Sequence, residues 1–248
     1  MIIIPDVHGR DFWKSAVTGR EDEEIIFLGD YVDPYAFVED VHPMAGLMCL
    51  LEIIEFKKQH PANVTLLLGN HDLSYVTDYI FKCRHDYDNA ETIRNIILEN
   101  LTLFCIAHEK TIGGRHYIFT HAGILPSWLA ENDRILGMLT PDNVVAELNQ
   151  GLATGEIYAA LGDVSEYRGG HLEVGSCVWA DVDEHFDHAA QDALAPNSNS
   201  PATDWADVYQ IFGHTQQFTG APIITSRFAC LDCRRAFCLN DDGEITRI

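Results

Sequence analysis

Five apolar runs in this chain of 248 residues each lead, within a few positions, to groups that bind metal ions or carry protons. Met1–Ile4 leads to Asp6-Val7-His8-Gly9, and Ile25–Leu28 to Gly29-Asp30-Tyr31-Val32-Asp33. Val64–Leu68 leads to Gly69-Asn70-His71-Asp72, Tyr117–Phe119 to Thr120-His121-Ala122-Gly123, and Val208–Phe212 to Gly213-His214-Thr215. Asp6 and His8 are two apart, so on a regular strand both side chains face the same way. Asp30 and Asp33 flank a strand exit, where one carboxylate can ligate while the other turns to a neighbour. Asn70 adds an amide oxygen, and His121 and His214 add imidazoles. Carboxylate, amide oxygen and imidazole without thiolate suit borderline first-row divalent cations. Two such ions about 3.5–4 Å apart, bridged by one carboxylate, would clamp the attacking and leaving oxygens of an in-line displacement.

Such a site needs elements to hold it. Each run is short, aliphatic or β-branched, and followed by glycine or a polar turn, the pattern of a buried strand ending in a functional loop. Ligands of open α/β sheets bind at the carboxyl ends of the strands, so the five loops are expected to converge. Between the strands, helical spacing predicts helices over Val41–Gln59 and Glu91–Ala107. A third is expected to begin at the Thr140-Pro141 pair, ahead of Val144, Val145 and Leu148. Short β-like runs return over Ile223–Leu239, with Asn240-Asp241-Asp242-Gly243 as a turn. The turn-rich stretch Asp187–Asp204 reads as a surface loop or lid. The segment of about 73–115 reads as a helical cap that shapes specificity. The order of elements predicts an α/β chain with a mixed sheet arrangement, and the length predicts one large domain, 1–248.

Composition narrows the partners. A formal net charge of −22 argues against generic binding to nucleic acid or to anionic membranes. Bound cations can still hold an anionic substrate locally. No apolar run approaches the ~20 residues that span a bilayer. No basic stretch precedes an apolar one at the N-terminus, so a cytoplasmic protein is expected. The seven cysteines are odd in number and sit mostly within apolar runs, as buried free thiols of a reducing compartment do. Cys230-Leu231-Asp232-Cys233 has zinc-site spacing, but nothing accompanies it and the alternation around it reads as strand. Asp181–His188 is dense in Asp, Glu and His, and reads as a solvated acidic loop.

The ordered set Asp-x-His-Gly, Gly-Asp-x-x-Asp, Gly-Asn-His-Asp, His-Ala-Gly and Gly-His-Thr, from Asp6 to His214, resembles the calcineurin-like metallophosphoesterases. Within them it is similar to the phosphoprotein phosphatase (serine/threonine phosphatase) branch and its bacterial relatives. The resemblance implies an α/β fold, a four-layer α/β/β/α sandwich of two facing mixed sheets with outer helices. It implies that Asp6 and His8 hold a first metal, that Asp30 bridges, and that Asn70, His121 and His214 hold a second, the pair being Mn²⁺ or alternatively Fe or Zn. A bridging hydroxide would attack phosphorus, and His71, oriented by Asp33, would protonate the leaving oxygen.

The expected substrate is a phosphomonoester, on a protein or a small molecule. The alternative substrate is a dinucleoside polyphosphate or other nucleotide anhydride, since bacterial relatives of this branch include such hydrolases and a base could stack on Tyr75, Tyr79 or Phe81. A non-catalytic scaffold is the third reading, set against the retained His71 and Asp30. Pro34 stands where the protein phosphatases have a phosphate-gripping Arg, and Asp72 stands where they have Glu. No Arg adjoins Trp179-Ala180-Asp181, where another often lies. Arg10, Arg84 and Arg168 are the candidates to replace them.

Overall fold

The computed structural model describes residues 1–36, 39, 41–42, 44–194, 205 and 207–248, the last four of the 44–194 stretch by backbone alone. All five runs form strands: β1 (Ile2–Ile4), β2 (Ile25–Phe27), β3 (Val64–Leu67), β6 (Arg115–Thr120) and β7 (Val208–Phe212). The others are β4 (Phe104–Cys105), β5 (Ala107–Ile112), β8 (Ile223–Ile224), β9 (Phe228–Cys230), β10 (Phe237–Leu239) and β11 (Ile245–Arg247). They build a six-stranded sheet in the order β11-β10-β1-β2-β3-β4 and a five-stranded sheet in the order β5-β6-β7-β9-β8. Both are mixed. β1, β2 and β3 run parallel while β10 is antiparallel to β1, and β6, β7 and β9 run parallel while β5 and β8 are antiparallel neighbours.

The alternation of side chains along the strands stacks the layers. Ile3, Ile26 and Leu67 of the first sheet share one buried cluster with Phe119, Ile211 and Ala229 of the second, so the sheets face each other. Ile2, Ile4, Phe27 and Leu66 point the other way, into a cluster with Trp13 of α1 (Phe12–Val17) and Leu50, Ile53 and Ile54 of α2 (Ala45–Gln59). On the far side, Val182 of α9 (Val182–Leu194) packs with Phe212, Phe228 and Cys230. The remaining helices are α3 (Asn70–Val76), α4 (Ala90–Glu99), α5 (Pro126–Glu131), α6 (Asp133–Leu136), α7 (Val144–Thr154) and α8 (Tyr158–Leu161). The architecture is the four-layer α/β/β/α sandwich.

Several local expectations are corrected. The helix expected over Glu91–Ala107 stops at Glu99, where Asn100 takes up the last carbonyls. Phe104 then pairs with Leu66 at the sheet edge, so strand pairing overrides the helical spacing, and the later part of the 73–115 segment is β4 and β5. The helix expected from Thr140 begins at Val144, because Asn143 Oδ1 accepts the Thr140 N–H and closes a turn first. The loop expected over 187–204 is helix as far as Leu194, and the rest of it, 195–204, lies outside the described residues. Val182, His185, His188 and Ala189 recur at helical spacing on the side of α9 turned towards the sheet, which also removes the solvated loop expected over Asp181–His188. Pro43, expected near the start of a helix, is likewise outside the described residues, and that helix begins at Ala45.

Candidate metal centre

The parallel register Ile4↔Phe27↔Leu66 brings the carboxyl ends of β1, β2 and β3 level, and Phe119↔Ile211 does the same for β6 and β7. The loops that follow carry Asp6 and His8, Asp30, Asn70, His121 and His214, all buried except half-buried His214. One N–H bond within the second sheet and one across to the first tie this rim together. Gly213 N–H donates to the His121 carbonyl (2.8 Å), and His214 N–H donates to the Asp6 carboxylate (3.0 Å).

Asp30 sits at the centre. Its Oδ2 lies 3.5 Å from His8 Nε2 and 3.4 Å from His121 Nε2, while its Oδ1 accepts the His71 N–H at 3.0 Å. Two sets of ligand atoms therefore share Asp30: His8, Asp30 and His71 on one side, Asp30, His121 and His214 on the other. Asn70 Oδ1 and His214 Nδ1 each lie 3.1 Å from His121 Nε2. Backbone carbonyls fix the rings from behind. His8 Nδ1 donates to Val32 O and His121 Nδ1 to Leu28 O, both at 2.8 Å, which leaves each Nε2 facing the carboxylates and able to ligate. His214 Nε2 is buried without a hydrogen-bond partner among the described residues. An oxygen and nitrogen donor set, an orphaned buried imidazole nitrogen and a carboxylate shared by two groups fit a pair of divalent cations.

The backbone is held in costly conformations here. His8 (φ 46°), Asp30 (φ 54°), Asp33 (φ 56°), Arg84 (φ 50°) and His214 (φ 62°) are left-handed, five of the six such non-glycine residues described, the other being Arg234. Each costs on the order of 1–3 kcal/mol, and strain of this kind collects at sites where function requires it. Asp72 over-determines part of it: its carboxylate accepts the N–H groups of Asp30 (2.7 Å), Gly69 (2.9 Å) and Tyr31 (2.9 Å). Glycines make room for two carboxylates, since a Cβ on Gly69 would collide with Asp30 and one on Gly213 with Asp6.

The charges are interdependent. Burial works to raise the Asp30 carboxyl, yet His121 and His71 hold it below the usual range. Burial works against a charged His71, but Asp30 and Asp33 raise it to about 10, and Asp30 and Asp6 similarly raise His121 to about 9. Burial lowers His8 and His214, and raises Asp6. His71 Nδ1 lies 2.7 Å from Asp33 Oδ2, and Tyr75 donates its hydroxyl to the other Asp33 oxygen.

The three candidate arginines differ. Arg84 Nη2 lies 3.3 Å from His8 Nε2 and 3.2 Å from His71 Nε2, and its guanidinium stacks 3.6 Å over the Tyr35 ring. It also walls a cleft of about 340 Å³ with Pro34, Tyr35, Lys82, His85 and Tyr87. Arg10 is held by Glu39 through Nε (2.8 Å) and Nη2 (2.9 Å). Arg168 is held by Asp181 (2.8 Å) and Thr215 Oγ1 (2.8 Å), and braces the His214 carbonyl. Only Arg84 of the three reaches the imidazoles.

Sequence reasoning missed Asp72 as a backbone clamp and Tyr75 as the partner of Asp33. Tyr75, read as a ring that could stack a base, is 3% exposed and already stacked on His85 at 4.0 Å. The Gly-Asn-His-Asp departure was the one available signal for Asp72, and nothing in the spacing pointed to Tyr75.

Comparison with known proteins agrees with this geometry. The model of the family described as calcineurin-like phosphoesterase matches residues 2–218. Serine/threonine-protein phosphatase PP1-1 of Saccharomyces cerevisiae is 28% identical over 131 residues, 49% of this chain and 38% of that protein. A protein phosphatase 2A catalytic subunit of Dictyostelium discoideum is 30% identical over 136 residues, 52% of this chain and 39% of that protein. The chain thus spans about two fifths of the length of these two relatives. Among solved structures, a cold-active protein-tyrosine phosphatase of a Shewanella species superposes with a TM-score of 0.52 at 16% identity, over 99% of this chain and 79% of that one. A protein serine/threonine phosphatase from Saccharomyces cerevisiae gives 0.50 at 14% identity, over 100% and 78%. At these identities the likeness to the solved structures is one of fold.

Proposed function

The chain belongs to the calcineurin-like phosphoesterase family, and from that premise we propose that it hydrolyses a phosphomonoester, on a protein or a small molecule, with two divalent cations, Mn²⁺ first among them. The observation that supports this reading is the central place of Asp30, whose Oδ2 lies 3.5 Å from His8 Nε2 and 3.4 Å from His121 Nε2, beside the His71–Asp33 pair. Asp6 and His8 would hold one ion, Asn70, His121 and His214 the other, and Asp30 both. Bound there, the cations supply Lewis acidity towards the phosphate oxygens and activation of water.

The chain's own groups do the rest. His71 is the general acid: Asp33 accepts from Nδ1, fixes the ring, and favours the protonated form that delivers a proton from Nε2 to the leaving oxygen. Arg84, beside that Nε2, offers a planar fork of donors to the phosphate oxygens. It takes the part that Pro34 leaves vacant in the Gly-Asp-x-x-Asp motif. The cleft beyond Arg84 would receive the leaving group. Burial removes Tyr75 as a stacking ring of the nucleotide reading and leaves Tyr79 and Phe81 exposed, while a retained acid and central carboxylate weigh against a scaffold. No helix among the described residues is long and apolar enough to cross a membrane.

The test is turnover of p-nitrophenyl phosphate by Mn²⁺-reconstituted protein, beside Asp30→Asn and His71→Asn. Phosphate release that needs added metal and is lost in Asp30→Asn supports the reading. Full metal content and full turnover in Asp30→Asn would overturn it. A panel of phosphopeptides, sugar phosphates and diadenosine tetraphosphate then separates the substrate classes.

A further inference from the structure

Asp232 follows β9 at the same level as His214 follows β7. The register pairs Phe212 with Cys230, and both strands run the same way, so the residues two positions beyond are neighbours at one rim. Backbone bonds hold this arrangement: Leu231 N–H donates to Phe212 O (2.8 Å), and Gln217 N–H to Asp232 O (2.7 Å). The side chain is 3% exposed, and its Oδ1 has no hydrogen-bond partner among the described residues. Burial raises its carboxyl well above the usual range, and the like charges of Asp6 and Asp30 add to this against Arg10 and His121. Arg10 does not neutralise it, because its Nε and Nη2 are committed to Glu39 and its Nη1 to the Asp6 and Val7 carbonyls.

We propose that Asp232 is an additional carboxylate that would help hold a divalent cation at the position formed by Asp6 and His8. The proposal rests on the reading of Asp6, His8 and Asp30 as metal ligands. A buried carboxylate oxygen with no donor costs stability, and so does crowding it beside two further carboxylates. A divalent cation removes both costs, since it is the largest local charge and reverses the sign of the field the carboxylates feel. A purely structural Asp at this depth would be capped by N–H groups, as Asp72 is by three. Cys230 and Cys233 on either side offer no competing thiolate site, because burial raises both thiols, to about 12 for Cys233.

The two consequences have opposite signs, which makes the test sharp. Metal-free wild type, Asp232→Asn and Asp232→Ser are titrated with Mn²⁺ by calorimetry, and their metal-free thermal melting is compared. The expected result is at least tenfold weaker Mn²⁺ binding at one of two sites in both variants, together with a higher Tm of the metal-free protein. Two sites of unchanged affinity in Asp232→Asn overturn the proposal, and so does a lowered metal-free Tm in both variants, which would make Asp232 a structural group. Wild type that binds fewer than two ions overturns instead the dinuclear reading on which the proposal stands.

Discussion

Tyr75 gives its phenolic proton to one oxygen of Asp33 while His71 Nδ1 lies 2.7 Å from the other. The same phenol oxygen accepts the Asp86 N–H at 2.7 Å, and the ring stacks on His85. The carboxylate proposed to orient the general acid is thus fixed at both oxygens, and the loop that carries Arg84 is tied to it.

Tyr75→Phe leaves the packing of the ring and removes only that anchor. Asp33 can then turn away, and His71 loses alignment at the moment of proton transfer. General-acid assistance is worth roughly 10²–10⁴-fold in rate. The loss should therefore be small for p-nitrophenyl phosphate, whose leaving group hardly needs a proton, and about tenfold or more for an alkyl phosphate. A plot of kcat against leaving-group pKa for both proteins reads this directly. Parallel lines, with equal loss for all esters, would show that Tyr75 does not act through His71.

Arg84→Ala tests the phosphate grip. Removing one preorganised donor to a developing charge costs roughly 10²–10³-fold. The expected outcome is a fall in kcat/KM of that order with Tm unchanged. Arg10→Ala should give the converse, because Arg10 is spent on Glu39 and on the Asp6 and Val7 carbonyls. Its removal should lower Tm and leave KM within about twofold. Steady-state kinetics and thermal melting on the two variants decide whether the assignments are interchanged.

The strands and their metal-capable loops were legible in the sequence because a buried parallel strand must be continuously apolar, and because short-range motifs carry their own geometry. Asp6 and His8, or Asn70 and His71, are placed by the same few residues that name them. Several of the failures share one cause. The helix expected through Ala107 was stopped by pairing of Phe104 with a strand nearly 40 positions away, and Tyr75 meets Asp33 across 42 positions. Asp72 clamps the Asp30 backbone from a similar distance. Contacts of this kind leave no periodic trace in the chain. The α9 helix was missed for another reason: its buried face includes Glu184 and His185, polar residues that a hydrophobic pattern counts as exposed.

His185 sets a pH limit on stability. It is 5% exposed, its Nε2 donates to Ala122 O at 3.0 Å, and its ring stacks on Phe212 at 4.5 Å. Burial lowers its pKa to about 4 from an ordinary 6.5, helped by the neighbouring His188 and opposed by the Ala122 carbonyl and Asp181. The folded state thus resists protonation that the unfolded chain accepts. Stability is full above pH 6.5, falls as pH drops between 6.5 and about 4, and the loss is complete below that. Its size is on the order of 3 kcal/mol. Urea unfolding at pH 7.5 and 4.5 should show a smaller decrement for His185→Gln than for wild type, and equal decrements would remove His185 as the cause.

Gly69→Ala separates folding from metal binding. Gly69 has φ −94° and ψ 179°, which alanine adopts freely, so the backbone itself does not object. The obstacle is the space: an added Cβ meets the Asp30 carboxylate, and stands 2.8 Å from both Asp30 Cγ and Asp30 N. Asp30 cannot retreat, because Asp72 holds its N–H and its Oδ1 accepts from His71 N–H. The central carboxylate must therefore rotate out of the position it shares with His8 and His121. The chain should fold with a loss of about 1–3 kcal/mol, the usual range for overpacking, while Mn²⁺ binding falls at both positions together. Gly213→Ala, whose Cβ meets Asp6 instead, should weaken one position and spare the other. Metal titration of the two variants distinguishes a shared carboxylate from two independent sites. Loss at only one position in Gly69→Ala would mean that Asp30 is not the bridge.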